Sequence, residues 1–166
     1  MFVDLTLEQA LELLGDARPT LEERIVPALA PPAPNSPYVP EYEWMFAAER
    51  GVIRRLQAYL GTYRDHLVGA GGLLSEALSN AYCHAHRRDP ALPITIRGLT
   101  GRRGVLIRVE DSGPGFDVEG AMRRRAAGRR YFQVAGSGMR RMAESELFQV
   151  FYDPAGSAVN LLHIVE

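Results

Sequence analysis

Ser75-Glu76-Ala77-Leu78-Ser79-Asn80-Ala81-Tyr82-Cys83-His84 is the stretch around which the rest of the chain can be organised. Glu76, Asn80 and His84 are four residues apart, so in an α-helix they lie along one stripe. Leu73, Leu74, Ala77, Leu78 and Ala81 form the apolar side of the same pattern, which predicts a helix over Leu67 to His86. A carboxylate and a carboxamide oxygen on one stripe suit a metal–phosphate centre, because Mg²⁺ takes hard oxygen ligands and keeps waters and phosphates around it. The same stripe suits a solvated polar face equally well.

Downstream, Ile94-Thr95-Ile96 and Val105 to Val109 are rich in β-branched residues and flank Gly101-Arg102-Arg103-Gly104, which predicts a hairpin. Leu147 to Tyr152 and Ala158 to Val165 predict a second hairpin around Asp153-Pro154-Ala155-Gly156. Upstream, the spacing predicts a helix from Ala47 to about Tyr63, and Tyr42, Trp44 and Phe46 alternate as in a strand. Leu5 to Leu14 repeats with helical period, with Thr6 and Gln9 placed as a capping box and Gly15 as the stop. A second short helix is expected from Thr20 to about Ala30. Residues 31–40 hold five prolines and read as an extended linker. These readings divide the chain into residues 1–40, an acidic helical extension with its linker, and residues 41–166, one domain. The element order fits an α/β fold, a two-layer sandwich with helices on one face of a mixed, mostly antiparallel sheet.

Composition removes several classes of function. All 19 basic residues are Arg. Without Lys there is no Walker A phosphate loop and no eukaryotic-type kinase lysine. Net charge is −6 over residues 1–46 and +5 over residues 47–166. The arginines are scattered without interleaved aromatics, which argues against nucleic acid as the partner. No apolar run reaches the ~18–20 residues of a membrane span, and no signal-like segment opens the chain. One cysteine, Cys83, leaves no internal disulfide. A cytoplasmic location is expected.

Two further segments carry chemistry. Asp111-Ser112-Gly113-Pro114-Gly115 follows a strand. Asp111 can accept a hydrogen bond from an exocyclic amine such as that of adenine, and Gly113 and Gly115 let a ring lie against backbone. Alone, the segment is also an ordinary Asp-Ser-Gly turn. Gly136-Ser137-Gly138-Met139 stands where a helix is expected to begin near Gly138, and its amides can face phosphate oxygens. Many loop-to-helix junctions share that look.

Taken in order, Glu-x3-Asn-x3-His, Asp-x-Gly-x-Gly and Gly-x-Gly resemble the N, G1 and G2 boxes of the GHKL ATPases, whose architecture is the Bergerat fold. The spacing is similar to that of the stand-alone bacterial anti-sigma-factor serine kinases, over roughly residues 42–165. The resemblance implies an ATP and Mg²⁺ site. Asn80 would hold Mg²⁺, Glu76 would be the general base, and Asp111 would read adenine with Gly113 and Gly115 beside it. Gly136, Ser137, Gly138 and Met139 would line the phosphates, and His84 would stand near the nucleotide or pack in the helix. Residues 116–135 would form a lid, with one of Arg123, Arg124, Arg125, Arg129 or Arg130 near the γ-phosphate. Met139 stands where the family usually has Leu. No His-Glu-x-x-x-Pro-like phosphoacceptor precedes the region, unlike a whole sensor kinase. The implied activity is serine/threonine phosphorylation of an anti-anti-sigma-like protein, or capture of a sigma factor, by a homodimer. The alternative is a non-catalytic module whose partner affinity follows the nucleotide.

Overall fold

The computed structural model of the chain describes residues 1–69, 71–126 and 137–165. Among these, five strands build one sheet: β1 Arg18–Ile25, β2 Ile94–Gly101, β3 Gly104–Glu110, β4 Gln149–Tyr152 and β5 Ala158–Ile164. Their order across the sheet is β1-β2-β3-β5-β4, and every ladder is antiparallel. Parallel pairing is reduced to an isolated bridge between Phe2 and Val150. The two hairpins read from the sequence are β2–β3 and β4–β5, joined through β3 and β5, where Ile107 faces Leu161.

The helices are α1 Leu7–Leu14, α2 Glu43–Leu60, α3 Leu73–Asn80, α4 Val118–Ala126 and α5 Ser137–Glu144. Val52, Leu56 and Leu60 of α2 and Leu74 and Leu78 of α3 are fully buried in one core with Ile94, Ile96, Ile107 and Leu161 of the sheet. Burying such a side chain is worth about 1.5–3 kcal/mol, so this face of the sheet carries most of the fold. Met142 of α5 joins the same core. The result is the α/β two-layer sandwich, with α1 added on the reverse face. There Ala10 and Leu14 pack with Leu106, Phe151 and Leu162. The capping box at Thr6 and Gln9 is formed, and Gly15 closes α1.

Four local expectations are corrected. The helix expected from Thr20 is edge strand β1, paired with β2. Leu21 and Ile25 are four apart, as on a helix, but they also share one face of a strand, and both are buried. Pro19 is tolerated because the strand lies at an edge, and exposed Glu22 and Arg24 guard that edge. The strand expected over Tyr42 to Phe46 is the start of α2, because Trp44, Ala48, Val52, Leu56 and Leu60 form one buried stripe along it. Burial of that stripe overrides the local alternation. The long helix expected from Leu67 begins only at Leu73. Gly69 and Gly71 hold φ of 80° and 87°, outside the helical range of L-residues, and interrupt the run. Finally, α4 falls within residues 116–135, where a lid and no helix was expected.

Candidate functional site

Helix α3 begins at a tight corner. Gly72 is its N-cap residue, and a Cβ there would lie 2.4 Å from the Leu67 carbonyl oxygen. One turn later Glu76 projects from the helix with its side chain 18 % exposed. Arg141 of α5 donates from Nη1 to Glu76 Oε1 at 2.6 Å, and its guanidinium also lies over Gly71. A charge-assisted bond of this length is among the stronger polar contacts a protein makes. It ties the first turn of α3 to α5. Ser75, next to Glu76, donates to the buried carboxylate of Glu49 on α2, and Tyr38 donates to the same group at 3.0 and 3.1 Å.

Asn80 ends α3. It is half-buried, and its carboxamide is engaged by none of the described residues. Past it the chain does not continue as α-helix. Ala81–Ala85 form a π turn, which inserts extra residues per turn and rotates everything that follows. His84 therefore leaves the Glu76–Asn80 stripe and is exposed. His86, two residues on, turns inward and is 2 % exposed.

The loop after β3 meets the end of this π turn. Ser112 donates its amide to His86 Nε2 at 2.8 Å, and Gly113 packs so closely on Ala85 that a Cβ would lie 2.8 Å from its carbonyl oxygen. Asp111 is half-buried. Its amide donates to Ser157 O at 2.9 Å, and its Oδ1 accepts from the Gly113 amide at 2.7 Å. The second carboxylate oxygen accepts nothing from the described residues. Burial holds the Asp111 carboxyl above the usual carboxylate range, opposed by the Gly113 amide and assisted by nearby Asp153 and Glu110. Gly115 has φ +75°, and a Cβ there would lie 1.9 Å from Ala155 O in the β4–β5 turn. The absence of side chains at Gly113 and Gly115 is thus required by the packing of the protein itself. Phe116 stacks edge-on against Tyr152 at 5.0 Å. Burial, and then the charge of Asp111, push the Tyr152 phenol above its ordinary value.

Gly136 lies outside the described residues. Ser137, Gly138 and Met139 form the first turn of α5, and what their side chains meet lies outside the described residues as well. In the lid segment, Arg123 pairs with Glu119 at 3.4 Å and Arg124 approaches Asp117 at 4.0 Å. Arg129 and Arg130, and the side chain of Arg125, lie outside the described residues. Among the described residues no group of three His, Cys, Asp or Glu is placed to hold a metal ion, and no helix is long and apolar enough to cross a membrane. A groove of about 380 Å³ on α2, lined by Phe46, Arg50, Arg54 and Arg64 among others, includes none of the residues read as the site.

Helix α3 and its π turn therefore join two of the three segments. Its Glu76 end is held to α5 and its His86 end to the Asp111 loop, with Asn80 between. Ten residues of helix span roughly 15 Å. The sequence reading missed Arg141 and His86. Arg141 stands one turn inside α5, where a helical wheel would have placed it beside Ser137. His86 has no signal in α-helical spacing, because the π turn brings it round.

No curated protein matches the chain. The family model described as histidine kinase-like ATPase domain matches residues 51–147. That span takes in α3, the π turn, the β2–β3 hairpin, the Asp111 loop and α5. It covers more than half of the 166 residues, and the chain belongs to the histidine kinase-like ATPase domain family.

Proposed function

We propose that the protein binds Mg-ATP along α3 and uses it to control a protein partner, in the manner of an anti-sigma-factor serine/threonine kinase. The observation that carries this reading is the double attachment of α3, to α5 at Glu76 and to the Asp111 loop at His86. It supports one ligand-sized strip with a purine end and a phosphate end. At the purine end the unengaged oxygen of Asp111 accepts the adenine amine. At the other end the amides opening α5 receive phosphate oxygens, and the unengaged carboxamide of Asn80 offers the hard oxygen that Mg²⁺ prefers. When bound, Mg²⁺ supplies charge neutralisation to the phosphates. Glu76 would take the proton from a substrate hydroxyl, with positioning and charge neutralisation carrying most of the catalysis. A cytoplasmic homodimer acting on a sigma factor or an anti-anti-sigma-like protein completes the proposal.

A second reading, a non-catalytic module whose nucleotide orders a partner-binding surface, is favoured by one contact. Arg141 Nη1 is bonded to Glu76 Oε1, an oxygen that a general base would need for the substrate's proton. Calorimetric titration with Mg-ATP tests the shared part of both readings. Asp111→Asn is expected to abolish binding, and Asn80→Ala to remove its Mg²⁺ dependence. Unchanged affinity in both variants would remove the site. Phosphoserine formation on a candidate partner, lost in Glu76→Gln, separates kinase from module.

A further inference from the structure

Three consecutive amides of the loop that carries Asp111 are each tied to a different acceptor. Asp111 N–H goes to Ser157 O at 2.9 Å, Ser112 N–H to His86 Nε2 at 2.8 Å, and Gly113 N–H to Asp111 Oδ1 at 2.7 Å. The Ser112 hydroxyl donates to Pro93 O at 2.6 Å. Gly113 rests on the Ala85 carbonyl. Two of the three amide acceptors are oxygens that keep their lone pairs at any physiological pH. The middle one is an imidazole nitrogen. It accepts only while it carries no proton, so the His86 ring is neutral, with its proton on Nδ1. Among the described residues nothing accepts from that Nδ1.

We infer that His86 is a positioning residue for the nucleotide site: by accepting the Ser112 amide it fixes the loop in the pose that presents the free oxygen of Asp111. This rests on the reading of Asp111 as the purine contact. His86 acts through the loop and is not itself a contact of the base. A proton on Nε2 sets one N–H against another and releases the Ser112 anchor. Of the nearby charged groups Asp89 is the one that acts on the ring; Arg87 and Arg88 follow it in sequence, Arg88 being paired with Glu41, and Asp111 precedes Ser112. Burial holds the imidazole below its usual range, and Asp89 opposes this. The neutral ring is therefore the form present at neutral pH. Because the folded value is depressed, the anchor is complete above the ordinary histidine range near 6.5 and is lost as pH falls through the folded value.

The test measures Mg-ATP and Mg-GTP affinity from pH 5 to 8 in the full chain and in His86→Gln, His86→Leu and Asp111→Asn, with folding checked by circular dichroism. Gln carries an acceptor oxygen that does not titrate. Leu carries none. The phosphate titration of the nucleotide is common to all variants, so differences from the parent isolate His86. Expected results are at least tenfold weaker ATP binding and reduced preference over GTP in His86→Leu, and affinity within threefold of the parent in His86→Gln, which also loses the parent's excess acid-side decline. A folded His86→Leu chain with parental affinity and preference overturns the inference. If that variant does not fold, His86→Gln decides: retention of the acid-side decline overturns it equally. Asp111→Asn keeps the two readings apart. If it binds ATP normally, the purine contact itself is wrong. If it fails to bind while the His86 variants match the parent, only the inference about His86 falls.

Discussion

The Arg141–Glu76 pair can be weighed by a double-mutant cycle with Glu76→Gln, Arg141→Ala and both together. The two charges meet at 2.6 Å, with side chains 18 % exposed for Glu76 and 44 % for Arg141. At an effective dielectric of about 20, opposite charges 4 Å apart attract by about 4 kcal/mol before desolvation. Exposed pairs retain only about 0.2–1 kcal/mol of such attraction, whereas breaking a fully buried pair costs about 3–5 kcal/mol. Arg141 is more than a third exposed, so the value belongs near the exposed limit, raised by the cover over Glu76. A coupling of about 1 kcal/mol is expected. For a chain of 166 residues each 1 kcal/mol moves the thermal midpoint by about 2–4 °C. Each single variant should fall by about that amount, and the double by little more than either. Urea unfolding of the nucleotide-free protein gives the coupling directly. A coupling below about 0.3 kcal/mol, within the usual additivity of independent sites, would refute the claim that this pair holds α3 to α5.

Two further outcomes follow from the packing. Gly115→Ala should destabilise by about 2–5 kcal/mol. The left-handed backbone costs an L-residue about 1–2 kcal/mol and the clash with Ala155 O adds the strain of overpacking, about 1–3 kcal/mol; denaturant curves indistinguishable from the parent would show that the loop does not rest on the β4–β5 turn. Burial pushes the Glu49 carboxyl above its ordinary value, ahead of the opposing hydrogen bonds from Ser75 and Tyr38. A raised folded value means that its contribution is complete below the unfolded value and is lost as pH rises through the folded one. Stability relative to Glu49→Gln should therefore grow as pH is lowered from 7 toward 4.5, and parallel unfolding curves over that range would count against the burial argument.

What the sequence made legible was local. The Thr6–Gln9 box, both hairpins and the apolar side of α3 each follow from a period or a turn signal within a dozen residues. The errors arose where distant contacts decide. Arg18–Ile25 is a strand because the β2 edge is there to pair with it. Trp44 belongs to a helix because its stripe runs on to Leu60. Neither fact is visible in a short window. Glu76, Asn80 and Asp111 were singled out as candidates by residue type and spacing, and the structure attaches the elements that carry them to one another. Arg141 and His86 were not found, since each acts on a partner 65 and 26 residues away.

The π turn is where local and distant information conflict most usefully. Four-residue spacing placed His84 beside Asn80 and ignored His86. The wider turn at Ala81–Ala85 exposes the first and buries the second against Ser112. A regular α-helix through the same residues would leave the part-buried Ser112 amide without its acceptor. The π turn and the Asp111 loop therefore support each other: the turn supplies the acceptor, and the loop, by packing Gly113 onto Ala85, covers the turn. A deletion of one residue within Ala81–Ala85 that restores α-helical spacing should release the loop while leaving the α2–sheet core intact. Amide hydrogen exchange would read this as faster exchange at Ser112 and Gly113 with β2 and β3 still protected; unchanged protection of Ser112 would separate the turn from the site it is argued to build.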